Sequence, residues 1–158
     1  MNMPTKKTFA EMLDFHEKPF EVKLSTLVRS AARTVRDWLE DYDNLQRNPK
    51  GDMNGYCAIA SARLWRELHS YGIKSEIHIA EMWNGSHVFV IVDDFVVDVT
   101  ATQFNEFHDQ PIVILHRKLA EVHDYYQSTM SFDSDHSDKD LIKYQRRTQW
   151  HCEQIAFA

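Results

Sequence analysis

Three residues in the middle of the chain have side chains that could together carry out covalent catalysis. Cys57 follows the glycine-containing loop "GDMNGY" and stands at the first turn of a predicted helix. The dipole and unpaired amides of a helix N-terminus favour the thiolate form of a cysteine. His87 opens a β-branched run, and Asp98 interrupts the next one. A nucleophile, a base and an orienting acid are the roles that acyl transfer through cysteine requires.

The spacing of the two β-branched runs predicts that His87 and Asp98 share one face of a hairpin. A two-residue turn beginning at Asp93 would pair "HVFVIV" (87–92) with "FVVDVT" (95–100). In that register the histidine and the acid are diagonal neighbours, with Cβ atoms roughly 7 Å apart. An acid on an otherwise apolar face is costly unless it is paired, and the imidazole is the nearest candidate partner.

The role of Cys57 depends on where its helix packs. If the helix covers the face that carries His87, the thiol meets the imidazole, and Asp98 holds the imidazole tautomer. The alternatives are a core-filling cysteine, a structural histidine, and a turn of odd length that would place Asp98 on the opposite face.

Hydrophobic periodicity predicts two helices before the strands. The first begins after an N-cap at Ser25 and continues to Tyr42, and its arginines are expected on a solvated face. That polar set comprises Arg29, Arg33 and Arg36. The second helix begins near Cys57, after a cap at Asn54 or Asp52, and ends at Gly72.

Further strands are predicted at 74–82 and 111–115, on either side of the hairpin described above. The segment "HRKLAEVHDYY" (116–126) has a helical pattern, and the polar, acidic segment 128–140 is predicted to be a loop. The last segment, 141–157, is compatible with either helix or strand.

Composition indicates one ordinary globular domain. The chain has 158 residues and a formal net charge of −6, which argues against general binding to nucleic acids or anionic membranes. It contains no apolar run long enough to span a bilayer and begins without a secretory signal. Because Cys57 and Cys152 are its only cysteines, we expect free thiols and a cytoplasmic location. Residues 1–23 are expected to form an arm, and 24–158 the catalytic domain.

Two stretches resemble the transglutaminase-like superfamily of papain-fold enzymes: "GYCAIASARLWREL" and "GSHVFVIVDDFVVDVTATQF". The shared pattern is a cysteine at a helix start, a histidine opening a strand, and an acid on the next strand within "D-x-T-x-x-Q-F". The resemblance covers residues 55–104 and is greatest to the compact branch that includes toxin-type protein-glutamine deamidases. In this chain the last motif consists of Asp98, Thr100, Gln103 and Phe104.

The resemblance implies an α+β fold of the papain/transglutaminase-like type, with the catalytic helix packed on an antiparallel sheet. It also implies that Cys57 is the nucleophile, His87 the base and Asp98 the orienting acid. The expected activity is that of a cysteine-dependent amide hydrolase or acyltransferase that forms a thioester on glutamine side chains of proteins, without a cofactor. Asn54 is a candidate oxyanion donor beside the Cys57 amide, or a plain helix cap. Gln103 either lines the site or ends the strand.

Two features depart from related families. No tryptophan follows Cys57, unlike in many transglutaminases, and the spacing of 30 residues to His87 argues against a true papain peptidase. Two alternatives to the expected activity remain: a cysteine peptidase of the same fold, and a catalytically inactive binding protein. The expected partner is a protein or peptide substrate.

Metal and nucleotide sites are not indicated by the sequence. Despite nine histidines, it contains no H-E-x-x-H or C-x-x-C motif, and His116 and His123 are two helical turns apart in the predicted helix. It also lacks the two glycine-rich phosphate-binding motifs, G-x-x-x-x-G-K-S/T and G-x-G-x-x-G. We therefore expect no metal and no nucleotide.

Overall fold

A computed structural model describes residues 22–132, which form two long helices and an antiparallel sheet. The helices are α1 (Val22–Asn44), α2 (Cys57–Ser70) and the short α3 (Arg117–Ala120). The strands are β1 (Glu76–Met82), β2 (Gly85–Val92), β3 (Phe95–Asp98), β4 (Val113–His116) and β5 (Met130–Phe132). Within the described range the sheet order is β4-β3-β2-β1-β5. The α+β class is thus confirmed. Most of the predicted arm and the whole of 141–157 lie outside the described residues.

Both long helices form in the regions that the apolar period predicts, but α1 begins at Val22, so Ser25 lies inside the helix and is not its N-cap. In α1 one stripe of small and aliphatic residues is fully buried, comprising Val28, Ala31, Ala32, Val35 and Leu39. The predicted solvated arginine face is only partly right: Arg29 and Arg33 are exposed, but Arg36 is buried. In α2 the N-cap is Tyr56 and no side chain caps the helix, so the predicted caps at Asn54 and Asp52 are wrong.

The predicted hairpin register is confirmed. Val90 pairs with Val97, and Val92 pairs with Phe95. The two turn residues, Asp93 and Asp94, have φ angles of 51° and 67°. Left-handed backbone at both positions is typical of the turn whose twist matches that of the flanking strands. Because the turn has two residues, the side-chain alternation is preserved from β2 into β3.

The sheet is apolar on both faces and separates two hydrophobic clusters. One face packs against α1 and α2 through Ile77, Ile79, Val88, Val90, Val92, Val97 and Val99. The other face is covered by the segments that follow β3 and β4, and contributes Ala80, Phe89, Ile91 and Val96. The covering residues include Phe107, Tyr125 and Tyr126.

The condition that the Cys57 helix covers the His87 face is not met. The helix packs on the opposite face, where the Ser61 hydroxyl donates to the carbonyl of Val88 at 3.1 Å. Both faces of the hairpin are rich in valine, isoleucine and phenylalanine, so alternation alone does not identify the face that a helix covers.

Two further sequence predictions are corrected. The segment 116–126 is not one helix: α3 has four residues, and a 3₁₀ turn at Asp124–Tyr126 follows it. The predicted loop 128–140 contains β5, which pairs with β1 through Ile77, His78 and Ile79. In the described part of the chain, no helix combines the length and the apolar character needed to cross a membrane.

The hairpin turn gives a direct test of the register. Asp94→Gly is expected to raise the free energy of unfolding by about 0.5 to 1 kcal/mol, because glycine adopts left-handed backbone without steric cost. Asp94→Ala is the control, and it should lower stability because alanine has neither glycine's freedom nor aspartate's local hydrogen bonds there. Urea denaturation measures both. A gain in stability with alanine would contradict the left-handed turn.

Candidate active site

His87 and Asp98 form a buried pair on the sheet face that is covered by the chain after β3. His87 Nε2 lies 2.7 Å from Asp98 Oδ2, and the two residues are 1% and 2% exposed. This pairing follows from the confirmed register, which places both side chains on one face near the end of β3. Because the pair is withdrawn from water, each partner strongly favours the charged form of the other.

Four hydrogen bonds hold the Asp98 carboxylate. Oδ1 accepts the backbone amide of Thr100 at 2.8 Å and the Thr100 hydroxyl at 3.0 Å. Oδ2 accepts the Tyr126 hydroxyl at 2.8 Å in addition to the imidazole. A carboxylate has about four lone-pair directions, so this one is fully used and firmly oriented.

The environment shifts the pKa values of both partners towards the charged pair. Burial alone lowers the pKa of His87, but the charge and hydrogen bond of Asp98, with a contribution from Cys57, raise it to about 9. Burial alone raises the pKa of Asp98, but His87, Thr100 and Tyr126 together lower it below its ordinary value. The imidazole is therefore held as a cation over the neutral range.

Cys57 lies at the first residue of α2, is half-buried, and is a free thiol. It is near enough to the imidazole to contribute to the raised pKa of His87. Nδ1 of His87 is buried and completes no hydrogen bond of good geometry among the described residues. Since Nε2 is occupied by Asp98, Nδ1 is the nitrogen left for the thiol.

Cys57 acts on the pKa of the imidazole although α2 covers the opposite face of the sheet. The last β3 pair with β2 joins Val97 to Val90, and His87 lies three residues beyond that pair. Past the end of β3, no strand among residues 22–132 lies beside β2 on that side to separate the two faces. The N-terminus of α2 can therefore present Cys57 to an imidazole on the far face.

Asp43 on α1 organises the loop that leads into Cys57. Its Oδ1 accepts the Lys50 amide and the Tyr56 hydroxyl, and its Oδ2 accepts the Gly51 amide, each at 2.8 Å. Asp43 is only 1% exposed. Burial acts to raise the pKa of Asp43, but the three hydrogen bonds and Lys50 lower it overall. The residue immediately before Cys57 is thereby tied to α1.

Arg36, also on α1, organises the loop that follows Asp98. Its Nη1 donates to the carbonyl of Val99 at 2.8 Å and to the Thr102 hydroxyl at 3.0 Å. Its Nε pairs with Glu40 at 3.0 Å. The Thr102 hydroxyl in turn donates to the carbonyl of Asp52 at 3.0 Å. This chain of bonds links the loops on the two sides of the site.

Aromatic rings surround the imidazole on the covered face. Phe104 and Tyr125 are stacked with ring centroids 3.7 Å apart, and the Phe104 ring meets His87 edge-on at 4.8 Å. Phe89 and Tyr126 lie 6.0 and 5.7 Å from the imidazole centroid. These rings exclude water from the buried side of the pair.

The two other predicted site residues are not brought against Cys57 by any contact found in the structure. Asn54 is exposed, and its backbone amide donates to Asp52 at 3.0 Å in a turn. The side-chain amide of Gln103 donates to the carbonyl of Thr100 at 3.0 Å and approaches its hydroxyl at 3.4 Å. Gln103 therefore supports the residue that holds Asp98.

Sequence reasoning did not assign roles at the site to Arg36, Asp43 and Tyr126. Arg36 and Asp43 lie on the polar side of the helical pattern of α1. Their burial is possible only because partners in distant loops satisfy their charged groups. Tyr126 was placed in a predicted helix. A signal was present in the seven-residue spacing of Arg36 and Asp43, which puts both on one face about 10 Å apart.

Among residues 22–132, no three histidine, cysteine, aspartate or glutamate side chains gather as a metal-binding group. Comparisons with protein-family models, curated proteins and solved structures gave no match.

The loop before Cys57 is expected to depend on the charge of Asp43. Asp43→Asn should lower the free energy of unfolding by roughly 2 to 3 kcal/mol, because an amide nitrogen then faces a backbone donor. The matched control on the same helix is Asp37→Asn: the Asp37 side chain is 62% exposed, so its loss should change stability by less than about 0.5 kcal/mol.

The same pair of variants also gives a pH test. A group whose pKa is lower in the folded than in the unfolded protein stabilises the fold at pH values above its unfolded pKa. That stabilisation is lost as the pH falls through its folded pKa. The stability difference between wild type and Asp43→Asn should therefore be constant above pH of about 4 and shrink below it, as measured by urea denaturation. Equal losses in Asp43→Asn and Asp37→Asn would contradict the anchoring role.

The buried imidazolium should make stability fall with alkaline pH. The folded pKa of His87, about 9, is above the unfolded value near 6.5, so its contribution is complete below 6.5 and is lost as the pH rises to about 9. Urea denaturation across this range should show the fall in the wild type and a smaller fall in His87→Gln. Parallel pH curves for the two proteins would rule out the raised pKa.

Proposed function

We propose that the protein is a cysteine-dependent amide hydrolase or acyltransferase in which Cys57, His87 and Asp98 form a catalytic triad. One observation carries the proposal. The imidazole is bound by a buried carboxylate at Nε2, while its buried Nδ1 is left for a thiol at a helix N-terminus. This is the arrangement of nucleophile, base and orienting group that defines such sites by role and not by chain order.

The charge state of the pair supports the thiol chemistry. With the pKa of His87 at about 9, the imidazolium is present at neutral pH and can stabilise a neighbouring thiolate. The helix dipole of α2 acts in the same direction. A thiolate is the nucleophilic form of cysteine.

The reaction proceeds in two halves. Cys57 Sγ attacks the carbonyl carbon of a carboxamide and forms a tetrahedral oxyanion. His87 gives its proton to the departing nitrogen, the C–N bond breaks, and a thioester with free ammonia or amine results. Water or an amine then attacks the thioester, His87 recovers a proton from this nucleophile, and the C–S bond breaks to release the product and the thiolate.

Donors for the oxyanion are available in the first turn of α2. The helical ladder begins with the Ala60 amide, which donates to the carbonyl of Tyr56 at 2.9 Å. The amides that precede Ala60, including that of Cys57, have no acceptor in this ladder. Backbone donors at such a position are suited to a developing negative charge.

The fold adds support for a transglutaminase-like enzyme. The chain order is a helix with cysteine at its start, then an antiparallel hairpin with histidine on one strand and the acid on the next. This order is what the resemblance at residues 55–104 implies, and on it we base the choice of protein glutamine side chains as substrate.

Replacing the three residues separates chemistry from folding. Cys57→Ser should reduce glutamine amidase activity by several orders of magnitude while the melting temperature changes little, because the thiolate is lost and the shape is kept. His87→Ala should be about as damaging to activity, and Asp98→Ala somewhat less. Cys152→Ser is the control and should retain activity. Intact mass spectrometry of a glutamine-containing protein substrate measures deamidation as a gain of about 1 Da and crosslinking as loss of ammonia.

Thiol reactivity distinguishes an enzyme from an inactive binding protein. In the Cys152→Ser background, iodoacetamide near pH 6 should alkylate Cys57 much faster when His87 is present than in His87→Ala. Slow alkylation of Cys57 in a protein without amidase activity would indicate the inactive binding protein, and full activity of Cys57→Ser would refute Cys57 as the nucleophile. Cleavage of the substrate backbone in place of a 1 Da change would indicate the peptidase.

A further inference from the structure

Tyr126 binds the same Asp98 oxygen as His87, the proposed general base. Its hydroxyl donates to Asp98 Oδ2 at 2.8 Å, and His87 Nε2 lies 2.7 Å from that same oxygen. The other oxygen is occupied by Thr100. Tyr126 is 1% exposed, so its hydroxyl competes with the imidazole for the carboxylate charge in a site that water does not reach.

We propose that Tyr126 is a positioning residue that limits how strongly Asp98 holds the His87 imidazolium. A hydrogen bond to a carboxylate stabilises its negative charge, so the tyrosine takes up part of the interaction that the imidazolium would otherwise receive. Without the hydroxyl, the charge at Oδ2 is balanced by the imidazolium alone. His87 would then keep its proton to higher pH and give it up less readily.

The ring of Tyr126 fixes the hydroxyl independently of the site. It meets Phe89 edge-on at 5.2 Å and lies 6.1 Å from Phe107, and its backbone belongs to the 3₁₀ turn at Asp124–Tyr126. Removal of the hydroxyl leaves these ring contacts in place. The effect of Tyr126→Phe is therefore confined mainly to the shared oxygen.

Other titratable groups around the imidazole come from each element packed against it. Asp98 on β3 and Cys57 on α2 act on it directly. Tyr125 presents its ring at 6.3 Å and donates its hydroxyl to Glu106 at 2.8 Å. His78 on β1 is separated from His87 by the Phe89 ring, and His123 packs against the ring of Tyr126. Among the described residues, only Tyr126 combines a neutral hydroxyl with a bond to Oδ2.

The titration of His87 in the protein without substrate tests the inference. The ¹³Cε1 resonance of His87, assigned by its loss in His87→Gln, is followed by NMR from pH 6 to 10.5. Tyr126→Phe should raise the midpoint by about 0.5 to 1 pH unit, because one charge-stabilising hydrogen bond is lost at Oδ2. Tyr125→Phe is the matched control: it removes a hydroxyl bound to Glu106 from the adjacent position and should leave the midpoint unchanged.

A second replacement should shift the His87 midpoint in the opposite direction. Incorporation of 3-fluorotyrosine at position 126 gives a more acidic, stronger donor and should lower the His87 midpoint. An unchanged midpoint in Tyr126→Phe, or an equal rise in Tyr125→Phe, would overturn the inference. If Tyr126→Phe does not fold, an unchanged midpoint with 3-fluorotyrosine overturns it equally.

The consequence for catalysis rests on the proposed function, whereas the titration does not. In an active enzyme, Tyr126→Phe should move the alkaline limb of the kcat/KM profile to higher pH by the same amount, and Tyr125→Phe should not move it. A shifted titration in a protein without amidase activity would refute the proposed function and leave the inference intact. An active enzyme in which Tyr126→Phe leaves the His87 titration unshifted would refute the inference and leave the proposed function intact.

Discussion

The buried ion pair between His87 and Asp98 is the constraint on which the arrangement of the molecule depends. A carboxylate that is 2% exposed is tolerable only when its charge is balanced and its lone pairs are filled. The hairpin supplies the cation, the chain after β3 supplies two donors, and the turn before β5 supplies the fourth. The hairpin, the chain after β3 and the turn before β5 must therefore all be in place before the charges can be buried.

The same constraint explains the two clusters of the core. The face of the sheet that packs on α1 and α2 contains aliphatic residues from the hairpin, while the opposite face combines Phe89 and Ile91 with the charged pair. Tyrosines cover this second face because a tyrosine contributes both apolar area and a hydroxyl that can satisfy a buried acceptor. The contact with Cys57 is made where β3 ends, so the site lies at a boundary between the clusters.

Local rules were sufficient for the hairpin and insufficient for what surrounds it. A two-residue turn fixes register, so the shared face of His87 and Asp98 follows from counting along the chain. The face covered by α2 does not follow, because both sides of β2 and β3 are apolar. Nor does the burial of Arg36, whose partners Val99 and Thr102 lie more than 60 residues away. The segment 116–126 has helical spacing, but packing on the sheet and the bond from Tyr126 to Asp98 favour short turns.

The attachment of both loops of the candidate site to α1 determines what the smallest self-sufficient piece of this protein can be. Asp43 binds the loop before Cys57, and Arg36 binds the loop after Asp98. A fragment of residues 55–104 would contain the whole motif on which the resemblance rests and all three side chains of the proposed triad. It would lack the helix that sets the distance between its two loops, and it would lack Tyr126. Motif and functional unit are therefore of different sizes, and the unit must include α1 at one end and the turn before β5 at the other.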